Sequence, residues 1–590
     1  MIPGKYLHVH FVDAKYDFLI VIHFKATKNE NMFRGNIMSS RKIYLGLAST
    51  AHDPAVAIVD SDGKVLFAEA AERHLQDKRA WFSPPASPFR IKQIIDTYAP
   101  NTEKIVPAIS WDTENLQTLI RDSKNELDFL NQLNLDSSQM VTHTLAWSGI
   151  NFSHVESFNH HLSHAAAASY SSEFEKAAVA VIDGNGEGSA LSFYSFDSGK
   201  LELIDNANKS TASLGSMYAY LCSACGWDPL LGEEWKVMGL APYGKLDKNL
   251  YQAMRGAFTI DGLNLHKNGE SHDNFFYHYL PTRGRMPDQT ALEVADLAYT
   301  GQRVFTDIVM DLLNNLQEIT GFSDLVLTGG CALNSSCNGE VIGNTKFDRL
   351  HVNSAPSDDG NALGAAYLAY LKDGNTILPR AESLTPYLGS SLSKKSLNHL
   401  RKFSGIKYSE CTSHEKSEKT ARLLAEGKII GWAQGRAEFG PRALGNRSIL
   451  ADPRSNAVKE IINDRVKFRE EFRPFAPSIL DEYGNDFFEH YQVSRYMERT
   501  LRFRESVRSL IPGAVHIDGT GRLQSVRREW NEDYYNLISA FHKLTGIPLL
   551  INTSFNVMGK PIIATVEDAA AVFCTSGLDV LVIENTIFEK

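Results

Sequence analysis

AAVAVIDGNGEGSALSFYSFDSGKLELIDNA, residues 177–207, divides into an apolar strand, a glycine-punctuated turn, a second strand, the tight turn DSGK and a third strand. AAVAVI has the pattern of a buried strand. An earlier passage, KIYLGLASTAHDPAVAIVDSDGKVLFAEAAER at residues 42–73, has the same plan. There SDGK stands for DSGK, and His52 and Asp53 occupy the first turn. Two copies of strand, ligand-poised turn, strand, tight turn and strand make an internal duplication. Helical text follows each copy, including Pro88–Tyr98 and Thr290–Thr320. Alternating strands and helices predict α/β layers, in which ligands gather where strands end and the chain turns.

Just before the second copy, FNHHLSHAAAASYSSEFEK places His160 and His164 four apart in an alanine-rich run. That run favours helix, and positions four apart share a helix face. Asp183 ends the next strand, and Gly184, Gly186 and Gly188 let backbone come close to a ligand. Two imidazoles and a carboxylate suit a borderline divalent metal such as iron or zinc. The plain alternative is a surface histidine pair beside an ordinary strand end. A third turn, VLTGGCALN (326–334), puts Gly329 and Gly330 at a strand end and Asn334 at a helix start. A fourth, PSDDGNALGAA (356–366), puts Asp359 before a small-residue helix, where an anion can bind or a carboxylate can face a metal.

At 590 residues the chain is too long for one core, so two or three domains are expected. Residues 1–38 read as an N-terminal extension of unclear role, 39–375 as a first domain and 405–590 as a second. The Ser-, Gly-, Pro- and Leu-rich text at 376–404 lacks a strong helical period and reads as a linker. A net charge of −10 argues against general nucleic-acid binding. No apolar run reaches the length that spans a bilayer, so no membrane partner is expected. The six cysteines form no disulfide framework, which suits a reducing cytoplasm. Cys222 and Cys225 form a CxxC without a second pair at zinc spacing and read as buried thiols. A homodimer is left open.

The second domain carries GWAQGRAEFGPRALGNRSILADPR (431–454) and INDRVKFREEFRPFAPSIL (462–480). Arg436, Arg442, Arg447, Arg454, Lys467, Arg469 and Arg473 crowd into these stretches. Proline and glycines break GPRALGNRS as a helix. Loops that fix arginines favour oxyanions, because guanidinium pairs planar oxygens bidentately. A solvated basic surface or an RNA patch is the alternative. It fits poorly beside Trp432, Phe439, Leu444 and Phe475 in an acidic chain. VHIDGTGR (515–522) and PLLINTSFN (548–556) follow, the latter ending a strand in Asn552, Thr553 and Ser554, another oxyanion-friendly end.

The duplicated core is similar to the actin, sugar kinase and heat-shock ATPase superfamily, whose turns hold nucleotide phosphates. The chain as a whole resembles the antibiotic- and nodulation-type O-carbamoyltransferases. HDPAVAIV, HHLSHAAAA, VIDGNGE, WKVMGLAPYG, LTGGCALN, DDGNALGAA, GPRALGNRSILADPR, FREEFRPFAP, VHIDGTGR and INTSFN occur in that family's order across roughly residues 42 to 590.

The resemblance implies an actin-like (ASKHA) metal-dependent domain followed by a YrdC-like domain. The second would make carbamoyl adenylate from carbamoyl phosphate and ATP. The first would pass the carbamoyl group to a hydroxyl of a small acceptor. Carried over by motif, His160, His164, Asp183 and Asp359 are the expected ligands of Fe(II), and His52 is the expected base. Arg442, Lys467, Arg473, Arg522 and Ser554 are expected at carbamoyl phosphate, and Lys236, Gly330 and Asn334 near the nucleotide or intermediate. AERHLQDKRAWFSPPASPF (71–89) departs from the family's acidic-Arg-Phe-basic pattern, which leaves its contacts to acceptor and adenylate open. The competing readings are a tRNA threonylcarbamoyl-type transferase, a small-molecule kinase on the same fold, and a non-enzymatic nucleotide switch. The last would not need the arginine pocket. An antibiotic sugar, a lipo-oligosaccharide and a polycyclic toxin alcohol are all compatible acceptors.

Overall fold

The repeat found in the sequence folds into two sheets with one strand order. The computed structural model describes residues 41–122, 127–204, 210–468, 470, 472, 473 and 475–590, so the extension at 1–38 lies outside the described residues. Strands β1 (Lys42–Ala48), β2 (Ala55–Asp60), β3 (Val65–Ala70), β4 (Lys104–Ile109) and β5 (Glu156–Ser157) form a sheet in the order β3-β2-β1-β4-β5. Next come β6 (Lys176–Gly186), β7 (Ser189–Asp197) and β8 (Lys200–Leu203), then a separate hairpin of β9 (Phe258–Asp261) and β10 (Asn264–Lys267), then β11 (Asp324–Thr328) and β12 (Arg349–His351). Without the hairpin these form a second sheet in the order β12-β11-β6-β7-β8. In each sheet the first strand pairs antiparallel with the second and parallel with the fourth. The fold is mixed α/β.

Helices fill the space between these sheets. Helix His160–Ser169 is capped by the Asn159 side chain, which accepts from the Leu162 amide at 3.0 Å. Its alanines pack against helix Asn361–Lys372 and the two sheets in one buried cluster. At Gly364 a Cβ would collide with the Ser163 carbonyl, so this close crossing needs glycine. The crossing brings the His160 helix beside the 358–360 turn.

The C-terminal part is one mixed sheet of nine strands. In chain order these are β13 (Lys407–Glu410), β14 (Ile430–Ala433), β15 (Arg447–Ala451), β16 (Ala476–Leu480), β17 (Arg499–Arg502), β18 (Thr520–Val526), β19 (Leu549–Ser554), β20 (Val580–Ile583) and β21 (Thr586–Glu589). Their spatial order is β13-β21-β20-β14-β15-β19-β16-β18-β17. They share a core that the first two sheets do not enter. The stretch read as a linker holds helix Lys394–Phe403, capped by Ser393, with Leu397 buried in this C-terminal core. Leu397, Leu400 and Phe403 recur every third residue, a helical spacing that the Ser-, Gly- and Pro-rich text before it masks. The parts meet closely. Arg436 Nη2 donates to Leu66 O at 2.9 Å, Ala68 N to Leu388 O at 3.0 Å, and Asn338 Nδ2 to Glu498 O at 2.9 Å.

Candidate functional site

Three elements converge on one buried quartet. Helix His160–Ser169 supplies His160 and His164, β6 supplies Asp183, and the turn before helix Asn361–Lys372 supplies Asp358. The two Nε2 atoms lie 3.2 Å apart. His160 Nε2 is 3.5 Å from Asp183 Oδ2 and 3.6 Å from Asp358 Oδ1. His164 Nε2 is 3.8 and 3.5 Å from the same oxygens. A divalent ion about 2.1 Å from each of four donors would hold them roughly 3–3.5 Å apart, so these donors fit one. The Asp183 carboxylate is aimed from behind, because the Gly330 amide donates to its Oδ1 at 2.8 Å. Trp111 stacks on the His160 ring at 4.0 Å between centroids. At Gly186 a Cβ would lie 2.6 Å from the His161 ring and 2.7 Å from the His160 ring, which explains a glycine there.

The electrostatics are those of a site short of a cation. Burial alone would lower the His160 pKa, but the Asp358 and Asp183 carboxylates outweigh it and raise the imidazole to about 10. Burial also works against both carboxylates, yet the histidines hold Asp183 and Asp358 below the usual range. A metal ion must displace the His160 proton, since only neutral imidazole ligates. Below about pH 10 metal binding should therefore release a proton, and apparent affinity should climb with pH, by up to roughly tenfold per unit. Calorimetry of zinc binding to metal-stripped protein, in buffers of different ionisation enthalpy between about pH 6 and 8, reads the proton count directly. Affinity independent of pH would contradict the arrangement.

One expected ligand is displaced by a single position. Asp359 is not in the quartet, and its neighbour Asp358 is. The two carboxylates sit in a tight 3-10 turn, so they leave the chain in different directions. Asp359 faces Asp53 and Glu72. Burial, with those carboxylates and Asp358, pushes its pKa well above the usual range.

His52 lies in the β1–β2 turn next to the quartet, its Nδ1 3.8 Å from Asp358 Oδ2. The same nitrogen is 2.9 Å from Asp53 Oδ2 and 3.1 Å from Arg79 Nη2, and Arg79 Nε is 3.3 Å from Asp53. With Nδ1–H donating to Asp53, the tautomer leaves the Nε2 lone pair free to accept a proton.

A cavity of about 1910 Å³ runs from His52, Asp183 and Asp358 to the C-terminal basic cluster. Arg442, Lys467, Arg473, Arg522 and Ser554 all line it. Lys467 Nζ donates to Asn556 Oδ1 at 2.6 Å and to Ser554 Oγ at 3.2 Å. Arg473 is 2.6 Å from Glu470 and stacks at 4.0 Å over Trp235, on the same helix as Lys236. Lys236 in turn contacts Glu470 at 3.3 Å. Arg442 differs from Arg473 and Lys236. Among the described residues it has no acidic partner, and burial alone lowers its pKa to about 10.

Other expected site residues have structural duties. Gly330 supports Asp183. Asn334 caps the next helix through the Cys337 amide at 3.1 Å and pairs with Gln302 at 3.0 Å, so its amide is already committed, although it lines the cavity. Arg447 donates to the Gln434, Asn446, Ser390 and Gly435 carbonyls, and Arg454 pairs with Asp452. Arg469 lies outside the described residues. Sequence reasoning missed Asp358, Trp111 and Arg79. Only Asp358 left a signal there, as half of an ambiguous Asp-Asp pair.

Two family models match: Carbamoyltransferase N-terminus over residues 114–367 and Carbamoyltransferase C-terminus over residues 421–590. An uncharacterized protein of Synechocystis is 35% identical, over 73% of this chain and 75% of its own length. Nodulation protein NolO of Bradyrhizobium diazoefficiens is 36% identical, over 73% of this chain and 79% of its own. The 3'-hydroxymethylcephem-O-carbamoyltransferase of Amycolatopsis lactamdurans is 28% identical, over 67% and 74%.

Proposed function

We propose that this chain, which belongs to the carbamoyltransferase family, is an enzyme that makes carbamoyl adenylate from carbamoyl phosphate and ATP at its C-terminal basic cluster and transfers the carbamoyl group to a hydroxyl beside His52. The supporting observation is the single cavity lined both by an arginine without an acidic partner among the described residues and by a His/Asp quartet with an oriented histidine. On this reading residues 39–375 are an actin-like domain, in keeping with their twice-used strand order, and 405–590 a YrdC-like one. The quartet's ion is Fe(II) in this proposal. When bound, it would neutralise phosphate charge and polarise an oxygen.

The residues divide the chemistry between the two ends. Arg442, Lys467, Arg473 and Arg522 gather phosphate oxygens, which favours attack of water on carbamoyl phosphate; the bond to the bridging oxygen breaks, leaving carbamate and inorganic phosphate. A carbamate oxygen then attacks the α-phosphorus of ATP, the bond from that phosphorus to the β-phosphate oxygen breaks, and pyrophosphate departs with the electron pair. At the other end His52 Nε2 takes the acceptor's hydroxyl proton as the oxygen attacks the carbamoyl carbon. The bond from that carbon to the AMP oxygen breaks, and AMP departs with the electron pair. Asp53 holds the His52 ring through Nδ1, and Arg79 in turn holds Asp53 through its Nε.

Carbamoyl-phosphate-dependent release of pyrophosphate from ATP is the test of the first half. Its absence in protein with intact fold ends the proposal. For the second half, His52→Ala should keep metal, fold and adenylate formation while transfer falls by at least about 10²-fold. Single-turnover transfer from preformed carbamoyl adenylate measures this. A near-wild-type rate would place the base elsewhere.

A further inference from the structure

The stretch 71–89, which departs from the family pattern, forms a wall of the cavity beside His52. Gln76, Arg79, Ala80 and Phe82 all take left-handed backbone there, as does Asp53 opposite. So many non-glycine residues in that region is costly, and the segment is held by outside bonds. Arg79 Nη1 donates to Pro229 O at 3.1 Å, and Trp81 Nε1 donates to Leu230 O at 2.9 Å. Segments 76–82 and 229–232 are thereby tied into one wall.

Within that wall the polar groups beside His52 are already paired. Asp53 is shared by His52 and Arg79, Glu72 accepts the Arg79 amide at 3.2 Å, and Asp228 caps the Leu230 amide at 2.8 Å. The one polar atom of the Trp81 side chain is spent on Leu230 O. Besides Asp77 and Lys78, which also line the cavity, the side chains that face outward are large and apolar. Leu230 is 63% exposed, Leu231 58% and Leu130 40%, and all three line the cavity with Trp81. Leu130 sits one helical turn from Asn134, whose Oδ1 accepts from the Ala51 amide at 3.0 Å, beside His52. The Trp81 ring meets the His52 ring edge-on at 5.0 Å. Soluble proteins rarely leave large apolar side chains clustered beside a polar cleft unless something covers them.

We propose that the acceptor carries its hydroxyl on a flat, largely apolar ring system, aromatic or polycyclic, and that Trp81 selects it by packing against that body while the hydroxyl reaches His52. This rests on the reading of the His52 end as the acceptor end. It narrows the acceptor by surface chemistry: a polyol would leave Trp81 and the leucines uncovered and find few open hydrogen-bond partners in this wall.

The test compares naphthylethanol with methyl glucoside as probes on the full chain. Saturation-transfer nuclear magnetic resonance should show naphthylethanol bound through its ring protons and no binding of methyl glucoside. Supplied with carbamoyl phosphate and ATP, the enzyme should carbamoylate naphthylethanol with a kcat/KM at least about tenfold higher. Trp81→Ala should weaken naphthylethanol binding at least about tenfold, mainly in KM, and Trp81→Phe should restore most of it. Equal or better binding of methyl glucoside overturns the proposal, as does a Trp81→Ala variant that binds naphthylethanol as wild type does. The wild-type comparison decides even if Trp81→Ala misfolds. Pyrophosphate release in the same wild-type samples separates the two failures. If it is present without ring selectivity, only the acceptor proposal falls; if it is absent, the functional reading falls with it.

Discussion

Asp358→Asn should leave the purified protein with little bound divalent metal and lower carbamoyl transfer by at least about 10²-fold, while Asp359→Asn keeps its metal. The contrast between adjacent residues follows from where each carboxylate points. Asp358 Oδ1 lies 3.5–3.6 Å from both histidine Nε2 atoms, and its charge is one of two that hold the site negative. Asparagine keeps the shape but removes the charge, so the imidazoles lose their counter-ion and a cation loses a ligand. Asp359 lies outside the quartet, so asparagine there takes no donor from the ion. Metal per chain after dialysis, by plasma mass spectrometry, gives the first measurement, and single-turnover transfer from prepared carbamoyl adenylate the second. His160→Ala should behave as Asp358→Asn does. Full metal content in Asp358→Asn, or its loss in Asp359→Asn, sinks the quartet.

That one-residue displacement shows where sequence reading stops. The duplicated strands were legible because each copy carries its own turn signal, SDGK or DSGK, and because β1 and β6 are apolar enough to be central. The histidine pair was legible because a helix fixes which positions share a face. Asp358 was not separable from Asp359, because a 3-10 turn turns successive side chains to different sides and no periodicity distinguishes them. Trp111 left no trace, since its place over His160 depends on a loop brought there by the Glu187 carboxylate, which accepts from Asp112 N at 2.8 Å and His160 N at 3.0 Å. The basic cluster was legible as a density of charge but not as a division of labour. Composition cannot tell Arg447, committed to four carbonyls, from Arg442, committed to none of the described residues.

Arg442 should accordingly be the arginine whose loss is most specific. Its guanidinium stands half-buried in the cavity wall with no carboxylate partner among the described residues, a state that an arriving anion would stabilise. Arg442→Ala should therefore keep or raise the melting temperature and at the same time abolish carbamoyl-phosphate-dependent pyrophosphate release. A bidentate guanidinium makes two charge-assisted hydrogen bonds, each about 1.5–3 kcal/mol. Their joint loss is roughly 10²–10⁴-fold in kcat/KM for carbamoyl phosphate. Arg442→Lys, which keeps charge but not the planar fork, should fall between. Arg447→Ala should show the opposite pattern, a lower melting temperature because its four carbonyls lose their donor. Since Arg442 and His52 are assigned to different half-reactions, carbamoyl adenylate supplied from outside should restore product formation in Arg442→Ala but not in His52→Ala. Failure of that rescue, with fold and metal intact, would mean that adenylate formation and transfer are not separable and that one centre performs both steps.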